Sequence, residues 1–238
     1  MLPASFWERL SWKRFTPLEN TYHVTELTAC LAKTYFSRTR QVQETVESAW
    51  AKVRGSLIHY VVRSLGWSEL KVNMSFSLNG EDITIVGHLD AYDPETATVY
   101  DLKTSRFVKW QAEKGFIPRE THIAQVQSYF ALDKYAIPVS RLVLLYVDDQ
   151  DIVPQEVPLG NRREWLIQRA MLLHSALKNE KLPELEPDTL CKYCPFIEIC
   201  PVKETPTCKM RRPDKKAYGY SGQVSCEGFL RIITSLGT

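Results

Sequence analysis

The 238-residue sequence lacks a dominant charge, a long apolar run and a second closely spaced pair of cysteines. Thirty lysines and arginines against 28 aspartates and glutamates leave a net charge of +2, so bulk charge does not mark a nucleic-acid binder, although a local basic patch remains compatible with it. The longest apolar run, Leu142 to Val147, is far too short to cross a bilayer, and no membrane partner is expected. The opening "MLPASFWERLSWKRF" has no uninterrupted apolar stretch before a small-residue cleavage site, so no secretory signal is expected either. The expected location is the cytoplasm, where thiols stay reduced and cysteines serve as metal ligands or core filler. The sequence also has no internal repeat and no low-complexity segment.

What remains is an ordinary globular composition, 44% hydrophobic and 24% charged, in a chain long enough for a substantial core. A helix is predicted from Val24 to about Arg38, with Thr25 as its N-cap and Cys30 inside it. A second follows from Val46, Trp50, Val53, Leu57, Val61 and Leu65, spaced by threes and fours into one apolar stripe and stopped by Gly66. His59 lies off that stripe, on the face of Gly55. "LKVNMSFSL", the turn Asn79-Gly80 and "DITIVGHLDAYD" predict a hairpin, and "VYDLKTS" (residues 99–105) a third strand. Helical pattern returns in "THIAQVQSYFALDKY", two strands follow in "RLVLLYVDD" and "DIVPQEVPL", and a long helix spans roughly 162–178. The order implies a mixed α/β layout with a central sheet.

The third strand carries an acid and a lysine two residues apart. Strand side chains alternate, so Asp101 and Lys103 share a face and Leu102 points away. A surface ion pair would satisfy that pattern. If the neighbouring strand pairs as a hairpin, however, Asp90 comes within cross-strand distance of Asp101. Two acids that close repel unless a cation lies between them, and oxygen ligands with a nearby histidine suit magnesium or manganese. Lys103 would then add a fixed positive charge beside a phosphate or an attacking water. On a later helix, Gln125 and Tyr129 stand at i, i+4, and both can donate hydrogen bonds. The tripeptide alone decides nothing, since Asp214-Lys215-Lys216 repeats its spacing in an irregular, basic tail that reads as solvated or as a DNA-backbone contact.

Taken together, Gly55-x-x-x-His59, Gly87-x-x-Asp90, Asp101-x-Lys103 and Gln125-x-x-x-Tyr129 resemble, in order, the motifs of the RecB-like branch of the PD-(D/E)XK nucleases. The resemblance implies a restriction-endonuclease-like α/β core with a central mixed sheet flanked by helices. It also implies that His59, Asp90 and Asp101, with the Leu102 carbonyl, hold the metal. Lys103 would be the catalytic lysine, with Asp90 and Asp101 also counted as catalytic, and Gln125 and Tyr129 would position DNA or water. Aspartate at 101 is one methylene shorter than the glutamate common at that place in the family.

Six cysteines remain: Cys30, Cys191, Cys194, Cys200, Cys208 and Cys226. Cys191-x-x-Cys194 followed by Cys200 makes three thiols within ten residues, without the second pair of a zinc ribbon. Zinc, iron–sulfur and unliganded thiols all remain open on spacing alone. A lone N-terminal cysteine with a C-terminal Cys-x-x-Cys-x(5)-Cys resembles the iron–sulfur staple of certain RecB-like nucleases, the CRISPR-associated exonucleases of the Cas-four family among them. That likeness implies a cluster, 4Fe–4S rather than 2Fe–2S, on Cys30, Cys191, Cys194 and Cys200. It divides the chain into an N-terminal helical lobe (1–45), a nuclease core (46–180) and a helical or irregular cysteine-rich segment with a basic tail (181–238). The chain departs from compact family members in the 38 residues after Cys200, which carry Cys208 and Cys226.

The expectation is thus a metal-dependent DNA exonuclease acting on single strands or frayed ends, trimming spacer precursors in CRISPR adaptation. Its expected partners are DNA, the CRISPR integrase complex and a second copy of the chain. A repair nuclease outside CRISPR and a non-catalytic DNA-binding subunit are the alternatives. Tyr60, Trp67, Phe107 and Trp110, core residues or stacking surfaces, and the basic-aromatic stretch "TSRFVKWQAEK" after Lys103 are available to wall a strand channel.

Overall fold

The computed structural model describes residues 17–40, 46–64, 68–132, 137–188 and 190–204. Six strands form one mixed sheet: β1 (Thr21–His23), β2 (Ser68–Leu78), β3 (Glu81–Asp93), β4 (Thr98–Thr104), β5 (Arg141–Val147) and β6 (Ile152–Val157). The described helices are α1 (Val24–Thr28), α2 (Leu31–Thr39), α3 (Val46–Ser64), α4 (Val108–Glu113), α5 (Glu120–Phe130) and α6 (Arg163–Lys178). Among the described residues no helix is long and apolar enough to cross a membrane.

The hairpin β2–β3 forms as its turn predicts, with Asn79 and Gly80 both at positive φ. β4 runs parallel to β5, with Asp101 opposite Leu144 and Lys103 opposite Tyr146, and β6 returns antiparallel to β5. Two strands share the other edge of β3. The three-residue β1 pairs parallel to it up to His23↔Val86, and β4 pairs antiparallel from Ala91↔Tyr100 outward. Gly87 to Asp90 therefore have β2 on one side and no strand on the other. Leu27, Ile83, Ile85, Val99, Val126, Leu142, Leu144, Leu166 and Leu173 bury their side chains between the sheet and helices α1, α5 and α6.

One prediction from local pattern needs correction. The helix expected over Val24 to Arg38 is two helices, broken where Ala29 and Cys30 turn extended, and His23 rather than Thr25 stands at the N-cap. Distant residues cause the break. Arg169 donates to the carbonyls of Leu27 and Ala29 (2.7 Å to the latter), and Glu186 accepts the Leu31 N–H at 2.8 Å. These groups satisfy helix-end polar atoms that an unbroken helix would satisfy by itself. On α3, Trp50, Leu57 and Val61 of the apolar stripe are each more than half exposed, while the helix turns its Gly55 and His59 side inward. Helix α4, unforeseen in the sequence, starts directly after β4. Trp67, Cys208, Cys226 and the basic tail from 205 on lie outside the described residues.

Candidate active site

The unpaired stretch of β3 is where the acids meet. Continuing the β3–β4 register by one pair would place Asp90 opposite Asp101, but the ladder stops at Ala91↔Tyr100. There the Asp90 side chain takes over: its Oδ2 accepts the Leu102 backbone N–H at 2.8 Å, and its Oδ1 lies 3.0 Å from His59 Nδ1. Leu102 thus enters the site with its backbone while its side chain is buried in the core. An added Cβ on Gly55 would stand 3.7 Å from Thr104 Oγ1, an ordinary contact. Glycine is therefore not needed there for the close approach its place one turn before His59 suggests. Gly87 is different: a Cβ would stand 2.7 Å from the Tyr129 ring.

Asp101 is 1% exposed and Lys103 Nζ lies 2.6 Å from its Oδ2. That contact is a short buried ion pair, and the Lys103 ammonium is what meets Oδ2. Gln125 ties the group together. Its Oε1 accepts from Lys103 Nζ at 3.0 Å, while its Nε2 donates to Tyr129 OH at 2.6 Å and, more distantly, to Asp101 Oδ1 at 3.4 Å. A lysine only donates and a carboxylate only accepts, so the orientation of the amide is fixed by its neighbours. Burial pushes the Asp101 carboxyl up to about 6; the Lys103 charge opposes the rise and Asp90 adds to it. The hydrogen bond to Asp90 raises His59. Burial holds the Tyr129 phenol well above its usual value, so it stays neutral.

The structure brings together His59, Asp90, Asp101, the Leu102 backbone, Lys103, Gln125 and Tyr129. Among the described residues no three histidine, cysteine or acidic side chains converge closely enough to hold a metal ion. Asp90 is drawn to His59, and Asp101 to Lys103. The donor set nonetheless fits a hard divalent cation: two carboxylates, one of them almost wholly buried, and an imidazole.

Cys30, Cys191, Cys194 and Cys200 line one cavity of about 370 Å³, and Gln125 lines it too. The break before α2 sets Cys30 at its rim, a short 3-10 turn carries Cys191, and the Phe196 ring stacks on Phe36 at 5.6 Å to fix the cysteine segment against α2. All four cysteines are half-buried and none is in a disulfide; burial pushes the Cys30 thiol up. Four cysteines around one cavity form a donor set that either zinc or an iron–sulfur cluster accepts.

Some site residues leave no mark on the sequence motifs. His122 also lines the cysteine cavity, and its Nδ1 lies 2.7 Å from Tyr146 OH. That hydroxyl accepts the Arg119 N–H at 3.1 Å, so its own proton goes to His122, leaving the Nε2–H tautomer. Burial, with the charges of Lys103 and Arg119, lowers His122 to about 3. Its place one turn before Gln125 on α5 was the available signal.

The description "PD-(D/E)XK nuclease superfamily" belongs to a family model that matches residues 25–201. The CRISPR-associated exonuclease Cas4 of Saccharolobus solfataricus is 27% identical over 199 residues, 79% of this chain and 90% of that protein. The crystal structure of SSO0001 superposes with a TM-score of 0.61 at 25% identity, over 84% of this chain and 93% of that one. The family match takes in strands β2 to β6 and every acid, lysine and glutamine that meets at the gap: the chain belongs to the PD-(D/E)XK nuclease superfamily.

Proposed function

We propose that the protein is a divalent-metal-dependent DNA exonuclease of the Cas4 type that acts on single strands or frayed ends. The observation that carries this reading is Asp101: a carboxylate only 1% exposed, met by the Lys103 ammonium at 2.6 Å, at a gap in the sheet. Magnesium or manganese on His59, Asp90, Asp101 and the Leu102 carbonyl would supply charge neutralisation at the phosphate and a more acidic water. The protein's own groups do the rest. Lys103 places a fixed positive charge where charge builds on the phosphate. Gln125 holds that ammonium, and Tyr129, kept neutral by burial, holds Gln125. His59 orients Asp90.

An iron–sulfur cluster on Cys30, Cys191, Cys194 and Cys200 would supply a covalent staple across the core rather than a redox step. In this arrangement 1–45 and 181–238 form the lobe that the staple closes over the core at 46–180. Processing spacer precursors beside the CRISPR integrase is the cellular role that fits the likeness to Cas4.

The test uses the full chain, purified without oxygen, on end-labelled single-stranded and blunt duplex DNA with magnesium or manganese. Asp101→Ala should lose at least about 100-fold in cleavage rate and keep both its DNA affinity and any visible absorption from iron. Cleavage at the parent rate would overturn the site assignment. Iron and sulfide in equal measure support the staple, whereas zinc in a colourless protein refutes it.

A further inference from the structure

Four residues beyond Lys103, Phe107 adopts φ 56° and ψ 46°, the left-handed region. A residue with a bulky side chain stays there only when its surroundings leave no choice. Here they leave none. Val108, next in the chain, is fully buried, and its N–H donates to Asp148 Oδ2 at 2.9 Å. The Phe107 carbonyl accepts the Gln111 N–H at 2.9 Å, and the Gln111 amide donates to Ser105 Oγ at 2.8 Å and to the Arg106 carbonyl. Ser105 itself is tied to the Val147 carbonyl at 3.1 Å. The backbone is therefore held from β4, from the turn after β5 and from α4. Yet the ring that this mounting presents is 72% exposed. A packing role would have buried it.

The ring stands in a basic and aromatic setting. Trp110 and Phe116 are 41% and 57% exposed, with ring centres 5.4 Å apart. Arg106, Lys109, Lys114 and Arg119 face the single Glu113 within 106–119. Chain reach alone keeps Phe107 within about 14 Å of Lys103. Cations that can hold phosphates, interleaved with exposed rings that can stack on bases, match single-stranded nucleic acid better than an apolar protein face.

We infer that Phe107, with the exposed Trp110 and Phe116 rings of the following helix and turn, forms a stacking platform that grips a base of single-stranded DNA beside the cleavage site. The inference rests on the exonuclease reading above and specifies where that site takes hold of its substrate. The strained backbone fixes the ring before DNA arrives, so stacking requires no loop to be ordered on binding.

Phe107→Gly is the deciding variant, because glycine adopts the left-handed conformation freely and removes only the ring. In an Asp101→Ala background, binding of an oligothymidylate with one 2-aminopurine is followed by fluorescence and anisotropy. Phe107→Gly should weaken binding roughly 5- to 150-fold, with an unchanged salt slope and a melting temperature no lower than the parent's. Phe107→Trp should bind like the parent. Equal affinity of Phe107→Gly and its parent, in a chain whose unsubstituted form cleaves single strands, overturns the platform and leaves the exonuclease reading standing. A chain that neither binds nor cleaves single strands overturns both.

Discussion

Gly87→Ala is the substitution whose effect the structure fixes most closely. The new Cβ would lie 2.7 and 2.9 Å from two atoms of the Tyr129 ring and 3.0 Å from Val72. Ordinary contact begins near 3.4 Å, so the ring must retreat by roughly 0.7 Å. Tyr129 is only 5% exposed, and protein interiors are close-packed, so the retreat is opposed. Overpacking of this kind costs about 1–3 kcal/mol, or roughly 2–12 °C in melting temperature for a chain of this size. The chemistry suffers separately. Tyr129 OH accepts the 2.6 Å hydrogen bond that orients Gln125, and Gln125 in turn holds Lys103. Moving the ring slackens that chain, so the cleavage rate should fall about tenfold or more at temperatures where the variant is fully folded. Differential scanning fluorimetry and single-turnover cleavage separate the two effects. Gln125→Ala removes the same link without overpacking, so it should reproduce the rate loss with a smaller change in melting temperature. A Gly87→Ala protein with parental melting temperature and parental rate would refute the packing geometry.

His122, lowered to about 3 against 6.5 for an ordinary histidine, predicts a pH effect of known sign. The unfolded chain takes up the proton first, so the fold loses about 1.4 kcal/mol per pH unit as pH drops below 6.5. In urea titrations, His122→Asn should therefore lose about 2 kcal/mol less stability than the parent between pH 7 and pH 5; an identical loss would mean that His122 ionises normally. Glu186→Ala should cost about 1–2 kcal/mol, because it strands the Leu31 N–H and half of Arg169. Cys30 should then react faster with iodoacetamide, and unchanged alkylation would separate the helix break from this contact.

Much of the site was legible because its residues sit at fixed spacings inside regular elements. Asp101 and Lys103 share a strand face, and Gln125 and Tyr129 share a helix face, whatever packs against them. The hairpin β2–β3 and the long helix α6 followed from equally local rules. What escaped depends on residues far away in sequence. The break at Ala29–Cys30 is imposed by Arg169 and Glu186, some 140 to 155 positions distant. β1 is three residues long and owes its existence to a parallel partner that local pattern cannot reveal. The left-handed turn at Phe107 carries no glycine or asparagine to announce it, since Asp148 and Gln111 enforce it instead. The outward stripe of α3 shows the same limit: periodicity identifies the helix but not the face the sheet claims.

The missing rung between Asp90 and Asp101 has an architectural consequence. Only three residue pairs join β3 to β4, so the sheet behaves as two leaves, β1–β3 and β4–β6, bound along a short spine. Asp90 belongs to one leaf, Asp101 and Lys103 to the other, and the next tie along the spine is a carboxylate gripping a backbone amide. That acid ties one leaf to the other while its second oxygen meets His59. Amide exchange at Leu102 would report, in real time, how tightly the two leaves are shut.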